Sequence, residues 1–139
     1  MFSHEVKIRV RYAETDKMGY VYYGNYATYF EVGRVEAMRA LGVSYKTIEA
    51  TGIMMPVAEY SVKYLRPVFY DEKITVKTTI KELPKARITF YYETYKETGE
   101  LANEAFTTLA FYNIEKQRPC PAPKELTDAI GKNLSNSAF

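Results

Sequence analysis

Polar and apolar residues alternate strictly along "EVKIRVRY", Glu5 to Tyr12. Val6, Ile8, Val10 and Tyr12 fall on one side, and Lys7, Arg9 and Arg11 on the other. This period of two predicts a strand with one wet face. From Asn25 the period lengthens. In "NYATYFEVGRVEAMRALG" the residues Tyr26, Tyr29, Phe30, Gly33, Ala37, Met38 and Leu41 recur at three- and four-residue spacing, the stripe of a helix. Asn25 stands at the N-cap position, and Gly42 sits where a helix-ending glycine belongs. A glycine inside a helix costs about 1 kcal/mol relative to alanine. Gly33 is therefore expected to admit another backbone at close range. So apolar a helix predicts packing across a sheet.

A short second helix is predicted over "SYKTIEATG", with Ser44 as its cap. The period returns to two beyond Met55. Tyr60, Val62 and Tyr64 alternate with Ser61 and Lys63; Ile74, Val76, Thr78 and Ile80 alternate with Lys73, Thr75, Lys77 and Thr79. Ile88, Phe90 and Tyr92 alternate with Thr89, Tyr91 and Glu93. The segment from Ala102 to Ile114 is apolar on both faces, so it belongs at the centre of a sheet or at an interface. "RPVFYDE", "ELPKA" and "KETGEL" read as the turns between strands. Strands grouped after one long helix predict an α+β fold with an antiparallel sheet. Residues 1–139 are expected to form one domain, with a peripheral tail from about residue 124 and a fraying end over "NLSNSAF". The outward tyrosines and the doubly apolar last strand predict a homo-oligomer, either dimer or tetramer.

Composition narrows the chemistry. There is one cysteine, Cys120, which excludes an internal disulfide and a cysteine-built zinc site. The single histidine, His4, lies at an N-terminus expected to be mobile. Histidine-based triads and multi-histidine metal sites are thereby disfavoured, and no metal or separate cofactor is expected. Acid–base work falls to Asp, Glu, Tyr or Lys. A net charge of +2 does not point to nucleic acid. No apolar run reaches the roughly twenty residues of a membrane span. "MFSHEVKIRV" has no signal-peptide core, so a cytoplasmic protein is expected.

The break between the first strand and the long helix is "YAETDKMGYVYYGNY", Tyr12 to Tyr26. It carries Asp16 within a crowd of tyrosines. A helix N-terminus offers unpaired N–H groups and partial positive charge, suited to a developing oxyanion. A carboxylate facing the same point can attack a carbonyl or activate water. Gly19 permits the turn, Gly24 lets a substrate approach the backbone, and the tyrosines form an apolar wall. The plainer reading is that Asp16 accepts hydrogen bonds from loop amides and the tyrosines fill core.

The stretch "YAETDKMGYVYYGNYATYFEVGRVE" resembles the signature of the hotdog-fold acyl-CoA thioesterases, in the 4-hydroxybenzoyl-CoA thioesterase family with its YbgC-like members. Matching positions are Tyr12, Thr15, Asp16, Gly19, Val21, Tyr22, Asn25, Tyr26, Phe30, Glu31, Arg34 and Glu36. "YSVKYLRPVFYDEKITV" resembles the family's second strand and following turn, and "RPCPAP" its closing segment. The resemblance implies a five-stranded antiparallel sheet wrapped around one long central helix. It implies hydrolysis of an acyl-CoA, with coenzyme A as part of the substrate. Asp16 matches the catalytic aspartate, as nucleophile or general base. The Tyr23 amide matches the group that polarises the thioester carbonyl, and Gly24 is a second candidate donor. Gly19, Val21, Tyr22, Asn25 and Tyr26 are candidate substrate contacts. Many YbgC-like members carry histidine where this chain has Tyr23; a backbone amide survives that exchange.

Glu31 and Arg34, three apart on the helix, are read either as an ion pair or with Glu31 as a supporting acid of the site. Lys63, Arg66, Lys85 and Arg87 lie near strand ends as candidate partners for coenzyme A phosphates, with solvated surface charge as the plainer reading. Two competing activities are a hotdog dehydratase, for which His4 is badly placed, and a non-catalytic acyl-CoA-binding or regulatory module.

Overall fold

Strand β1 spans Phe2–Arg9 and starts before the predicted Glu5. The computed structural model describes residues 1–136. Along β1, Phe2, His4, Val6 and Ile8 turn inward and Ser3, Glu5, Lys7 and Arg9 outward. His4 is therefore tied down rather than on a loose end: it sits opposite Thr78. Its Nδ1 is buried and has no hydrogen-bond partner among the described residues. The strand ends at Arg9 because the chain is drawn aside. The Arg11 N–H donates to the Glu14 carboxylate at 2.8 Å, opening a 3-10 turn over Tyr12–Glu14. Tyr12, expected on the inward face, instead lies exposed against Tyr70, ring centroids 5.5 Å apart.

Helix α1 covers Tyr26–Ala40 and is preceded by a 3-10 turn at Tyr23–Asn25. Every residue of the predicted stripe is buried, from Tyr26 to Leu41. The helix ends as read. Gly42 takes φ +86°, its N–H donates to Arg39 O at 2.9 Å, and Val43 N–H reaches Met38 O at 3.0 Å. These two bonds satisfy carbonyls that the last turn leaves free. The start differs. Asn25 occupies the cap position, but its side chain makes no capping bond. Arg34 also turns inward, where its Nε donates to Tyr45 Oη at 3.1 Å. The Glu31–Arg34 ion pair is absent among the described residues, and Glu31 is exposed. Helix α2 (Tyr45–Ala50) begins as predicted, Ser44 Oγ accepting from Thr47 N–H at 3.2 Å.

The remaining elements are β2 (Ile53–Met54), β3 (Val57–Tyr64), β4 (Lys73–Ile80), β5 (Arg87–Tyr95), β6 (Leu101–Ala110), β7 (Tyr112–Asn113), β8 (Arg118–Pro119) and α3 (Lys124–Asn136). The main sheet is antiparallel, in the order β1-β4-β5-β6-β3. Its inner face carries Val6, Ile8, Ile74, Val76, Phe90 and Tyr92 against α1. The doubly apolar segment is an interior strand, as read, but it stops at Ala110 rather than Ile114. Fully buried Phe111 turns the chain into a second sheet, β2-β7-β8. Strands of two residues are too short to show a period, so the sequence pattern did not reveal that sheet. Strand β3 forms an edge, with Tyr60 and Tyr64 about half exposed beside Phe30 and Tyr26 of α1.

The tail from residue 124 is not peripheral. Leu126 and Ile130 of α3 are fully buried in the core. Of the stretch expected to fray, Asn133–Asn136 continue α3, and residues 137–139 lie outside the described residues.

Gly33 is explained by packing, but against side chains rather than backbone. A Cβ there would stand 2.6 Å from Thr78 Oγ1 and 3.1 Å from Val76 Cγ1. Alanine gains about 1 kcal/mol of helix propensity, and overpacking costs roughly 1–3 kcal/mol. Gly33→Ala is therefore expected to lower the urea midpoint, and adding Thr78→Ala to cost less than the two single changes summed. A midpoint that rises on Gly33→Ala would show that the helix does not press on β4 here.

Candidate active site

Two non-local segments build the site. The first is the loop from Glu14 to Tyr23, between β1 and α1. The second is the segment from Tyr64 to Glu72, between β3 and β4. They are stitched together by backbone bonds. Val21 N–H donates to Val68 O at 2.8 Å, and Tyr20 bridges Phe69. Between them opens a cavity of about 450 Å³, within the range of small-molecule pockets. Its walls are Asp16, Met18, Tyr20, Val21, Tyr23, Tyr26 and the run Tyr64 to Pro67.

Asp16 sits in a tight turn closed by Gly19, whose φ of +83° favours glycine. The Gly19 N–H donates to Asp16 O at 2.9 Å, and the Met18 N–H donates to Asp16 Oδ1 at 2.9 Å. The plainer reading of Asp16 is thus realised for one carboxylate oxygen. The half-buried residue also lines the cavity. The 3-10 turn that starts the long helix faces the same cavity through Tyr23. The first N–H groups of such a turn have no partner within it. Among the described residues, none of the loop and turn backbone bonds uses the N–H of Tyr23 or Gly24.

The walls are aromatic. Tyr26 is buried, packs on Phe30 and meets Tyr64 at 5.7 Å. Burial pushes the Tyr26 hydroxyl well above its ordinary value, with Tyr64 and Glu72 adding to the shift, so the phenol stays neutral. Burial raises the Tyr64 hydroxyl too, Tyr23 contributing. Arg66 brings a cation to the rim, paired with Glu100 at 3.2 Å.

The predicted residues divide. Asp16, Val21, Tyr23 and Tyr26 come together on the cavity. Gly19, Tyr22, Gly24, Asn25 and Glu31 do not line it. Gly24 was expected to leave its backbone open to a substrate. The Tyr22 ring fills that space, its Cε2 2.7 Å from where a Cβ would stand. Of the four cations considered, only Arg66 reaches the rim; Lys63 faces Glu104 across the sheet, and Lys85 and Arg87 are elsewhere. Tyr20 joins the wall as the tyrosine-rich loop predicted, whereas sequence reasoning missed Met18, Tyr64, Leu65 and Pro67. Only their presence in the two family-like stretches marked them.

Two buried carboxylates brace the walls. Glu14 accepts from the Arg11 amide, the Arg11 guanidinium and the Tyr29 hydroxyl. Burial alone would raise its carboxyl; these donors outweigh burial and hold it below the ordinary glutamate range. Glu72 is held low in the same way, burial being outweighed by the Phe69 amide, Lys96 and the Glu97 amide. A folded-state value below the unfolded one means the ionised form stabilises the fold. That contribution is full above the unfolded glutamate range and is lost as pH falls through the folded values. Melting temperature is therefore expected to fall as pH drops below about 4.3, with a shallower fall in Glu72→Gln. Equal acid sensitivity in the two proteins would discount Glu72 as a source.

Residues 10–130 match the sequence profile of the Thioesterase-like superfamily. The chain is 34% identical over 128 residues to a Bacillus subtilis protein named "Putative acyl-CoA thioesterase YneP", covering 92% of this chain and 93% of that one. It is 26% identical to the acyl-CoA thioester hydrolase YbgC of Escherichia coli O157:H7, over 86% and 89% of the two chains. A crystal structure of a DHNA-CoA thioesterase from Staphylococcus aureus superposes with a TM-score of 0.92 at 38% identity, over 100% and 97% of the chains. The chain belongs to the Thioesterase-like superfamily, and its antiparallel sheet around a long helix is the hotdog fold of those thioesterases.

Proposed function

We infer that this protein hydrolyses the thioester of an acyl-CoA, releasing a free carboxylic acid and coenzyme A. The observation that carries this reading is the shared cavity: the carboxylate of Asp16 and the amide-bearing turn at Tyr23 line one aromatic-walled space. In the reaction, the thioester carbonyl oxygen lies toward the Tyr23 N–H, which stabilises its developing negative charge. Asp16 either attacks the carbonyl carbon, giving an acyl-aspartate that water hydrolyses, or removes a proton from an attacking water. In both routes the C–S bond breaks and the thiolate of coenzyme A departs, to be protonated in solution. The apolar walls lower the local dielectric and strengthen both interactions. Arg66 at the rim suits a phosphate of coenzyme A.

Support also comes from the relatives, which are named for acyl-CoA and DHNA-CoA thioester cleavage. The ring-lined walls and the Staphylococcus aureus relative favour a planar aromatic acyl group over an alkyl chain. The test is a panel of short, long and aromatic acyl-CoAs, assayed with the wild type and with Asp16→Asn. Turnover of none of them by the wild type, or undiminished turnover by the variant, would refute this reading.

A further inference from the structure

Asn25 stands at the mouth of α1, yet its side chain turns away from the helix. Its Nδ2 donates to the backbone carbonyl of Glu14 at 2.8 Å. The Tyr22 N–H donates to that same carbonyl at 2.9 Å. The Glu14 side chain is equally committed. Its Oε1 accepts from the Arg11 N–H at 2.8 Å and from the Tyr29 hydroxyl at 2.8 Å. Its Oε2 accepts from the Arg11 guanidinium, Nε at 3.1 Å and Nη2 at 2.9 Å. Each of the three oxygens of this buried residue thus takes two donors, leaving little capacity to serve a substrate directly.

What Glu14 joins is informative. Asp16 follows two residues later. Tyr22 immediately precedes the turn whose first N–H groups are those of Tyr23 and Gly24. Asn25 ends that turn, and Tyr29 lies one turn into α1. We propose that Glu14 is a positioning residue for thioester cleavage, clamping the Asp16 loop to the start of the long helix. The clamp fixes the position of the Asp16 loop relative to the turn that carries the Tyr23 and Gly24 amides. This inference rests on the acyl-CoA hydrolysis proposed above. Charge suits the task, because an ionised acceptor forms shorter and stronger hydrogen bonds than a neutral one. The Tyr29 hydroxyl, kept protonated by burial and by Glu14 itself, is a constant donor.

The least disruptive probe is Tyr29→Phe. It removes one oxygen, keeps the buried ring against Tyr26, and leaves the Arg11 bonds to Glu14 intact. Misplacing reacting groups by about 1 Å costs on the order of a hundredfold in rate. On the best acyl-CoA of the panel, Tyr29→Phe is expected to lower kcat about tenfold and Glu14→Gln about a hundredfold, with KM changed less than about twofold. The combined variant should be no slower than Glu14→Gln, since both changes act through one clamp. Leu126→Ala serves as the stability control. It removes a buried core side chain from α3, lowers the melting temperature, and should keep wild-type kcat below that temperature. Should Glu14→Gln fail to fold, Tyr29→Phe still decides. Wild-type kcat in folded Tyr29→Phe, or losses that multiply in the combined variant, would overturn the positioning role. A wild-type protein that turns over no acyl-CoA would instead remove the proposed reaction, and the clamp's purpose with it.

Discussion

Asp16→Asn is expected to lower kcat on acyl-CoA by about 10²–10⁴-fold, the range for loss of a positioned acid–base group. The substitution is informative because it separates the two roles that the residue can have. Asparagine keeps a carbonyl oxygen where Oδ1 now accepts from the Met18 N–H. It also leaves the Gly19 to Asp16 backbone bond untouched. The turn should therefore survive, and melting temperature should change by no more than a degree or two. The change removes only the negative charge and the ability to take a proton or form a mixed anhydride with the acyl group. If Asp16 did nothing beyond ordering its loop, turnover would survive with the loop. KM should move little, because the aromatic walls proposed to hold the acyl group come from other residues. A burst of coenzyme A release in the wild type, one equivalent per site ahead of steady turnover, would identify the acyl-aspartate route. A large solvent isotope effect without a burst would favour water activation.

The sequence disclosed what is local and periodic. The stripe from Tyr26 to Leu41 predicted a buried helix because burial on one face leaves a three-to-four spacing. Gly42 was readable because the bond pattern closing α1 needs a residue at positive φ. Asp16 was legible because its loop runs directly into the helix, and Tyr23 was named through the family resemblance. The other half of the cavity was not, since the pairing of Val21 with Val68 joins segments far apart in the chain. No local period records such a pairing. Glu31 misled for a related reason. Its three-residue spacing from Arg34 allows contact, but Arg34 is drawn inward to the Tyr45 hydroxyl, where a buried guanidinium finds a phenol oxygen. Spacing on a helix sets which residues can meet, and the packed interior decides which of them do. Asn25 follows the same rule, for the cap position was correct and the side chain's partner lay at the far end of the connection that precedes the helix.

An ion pair braces the second wall of the cavity, and Lys96→Met is expected to show it. Lys96 Nζ lies 3.1 Å from Glu72 Oε1, with both side chains about nine-tenths buried, at 12% and 11% exposure. The same ammonium donates to the Pro67 carbonyl and lies 5.1 Å from the centre of the Phe69 ring. Glu72 in turn accepts from the N–H groups of Phe69 and Glu97, each at 3.1 Å. The pair therefore ties the β5–β6 turn to the segment that supplies Leu65, Arg66 and Pro67 to the cavity. Removing the lysine leaves an ionised carboxylate inside without its counter-charge, which costs about 3 kcal/mol. For a chain of this size that is a fall in melting temperature of roughly 10 °C. Glu72→Gln should cost less, because an amide oxygen still accepts from one of the two N–H groups. The double variant should fall short of the sum of the two, as neither partner is then left charged and alone. Function should follow the loop rather than the charge. With Pro67 and Phe69 released, the wall loosens and KM for acyl-CoA rises, while kcat, which the proposed mechanism assigns to Asp16 and the helix amides, changes less. Calorimetry on the four proteins reads the coupling directly. Single variants whose losses simply add would mean that the two residues stabilise the fold independently, and that the wall is held by something other than their pairing.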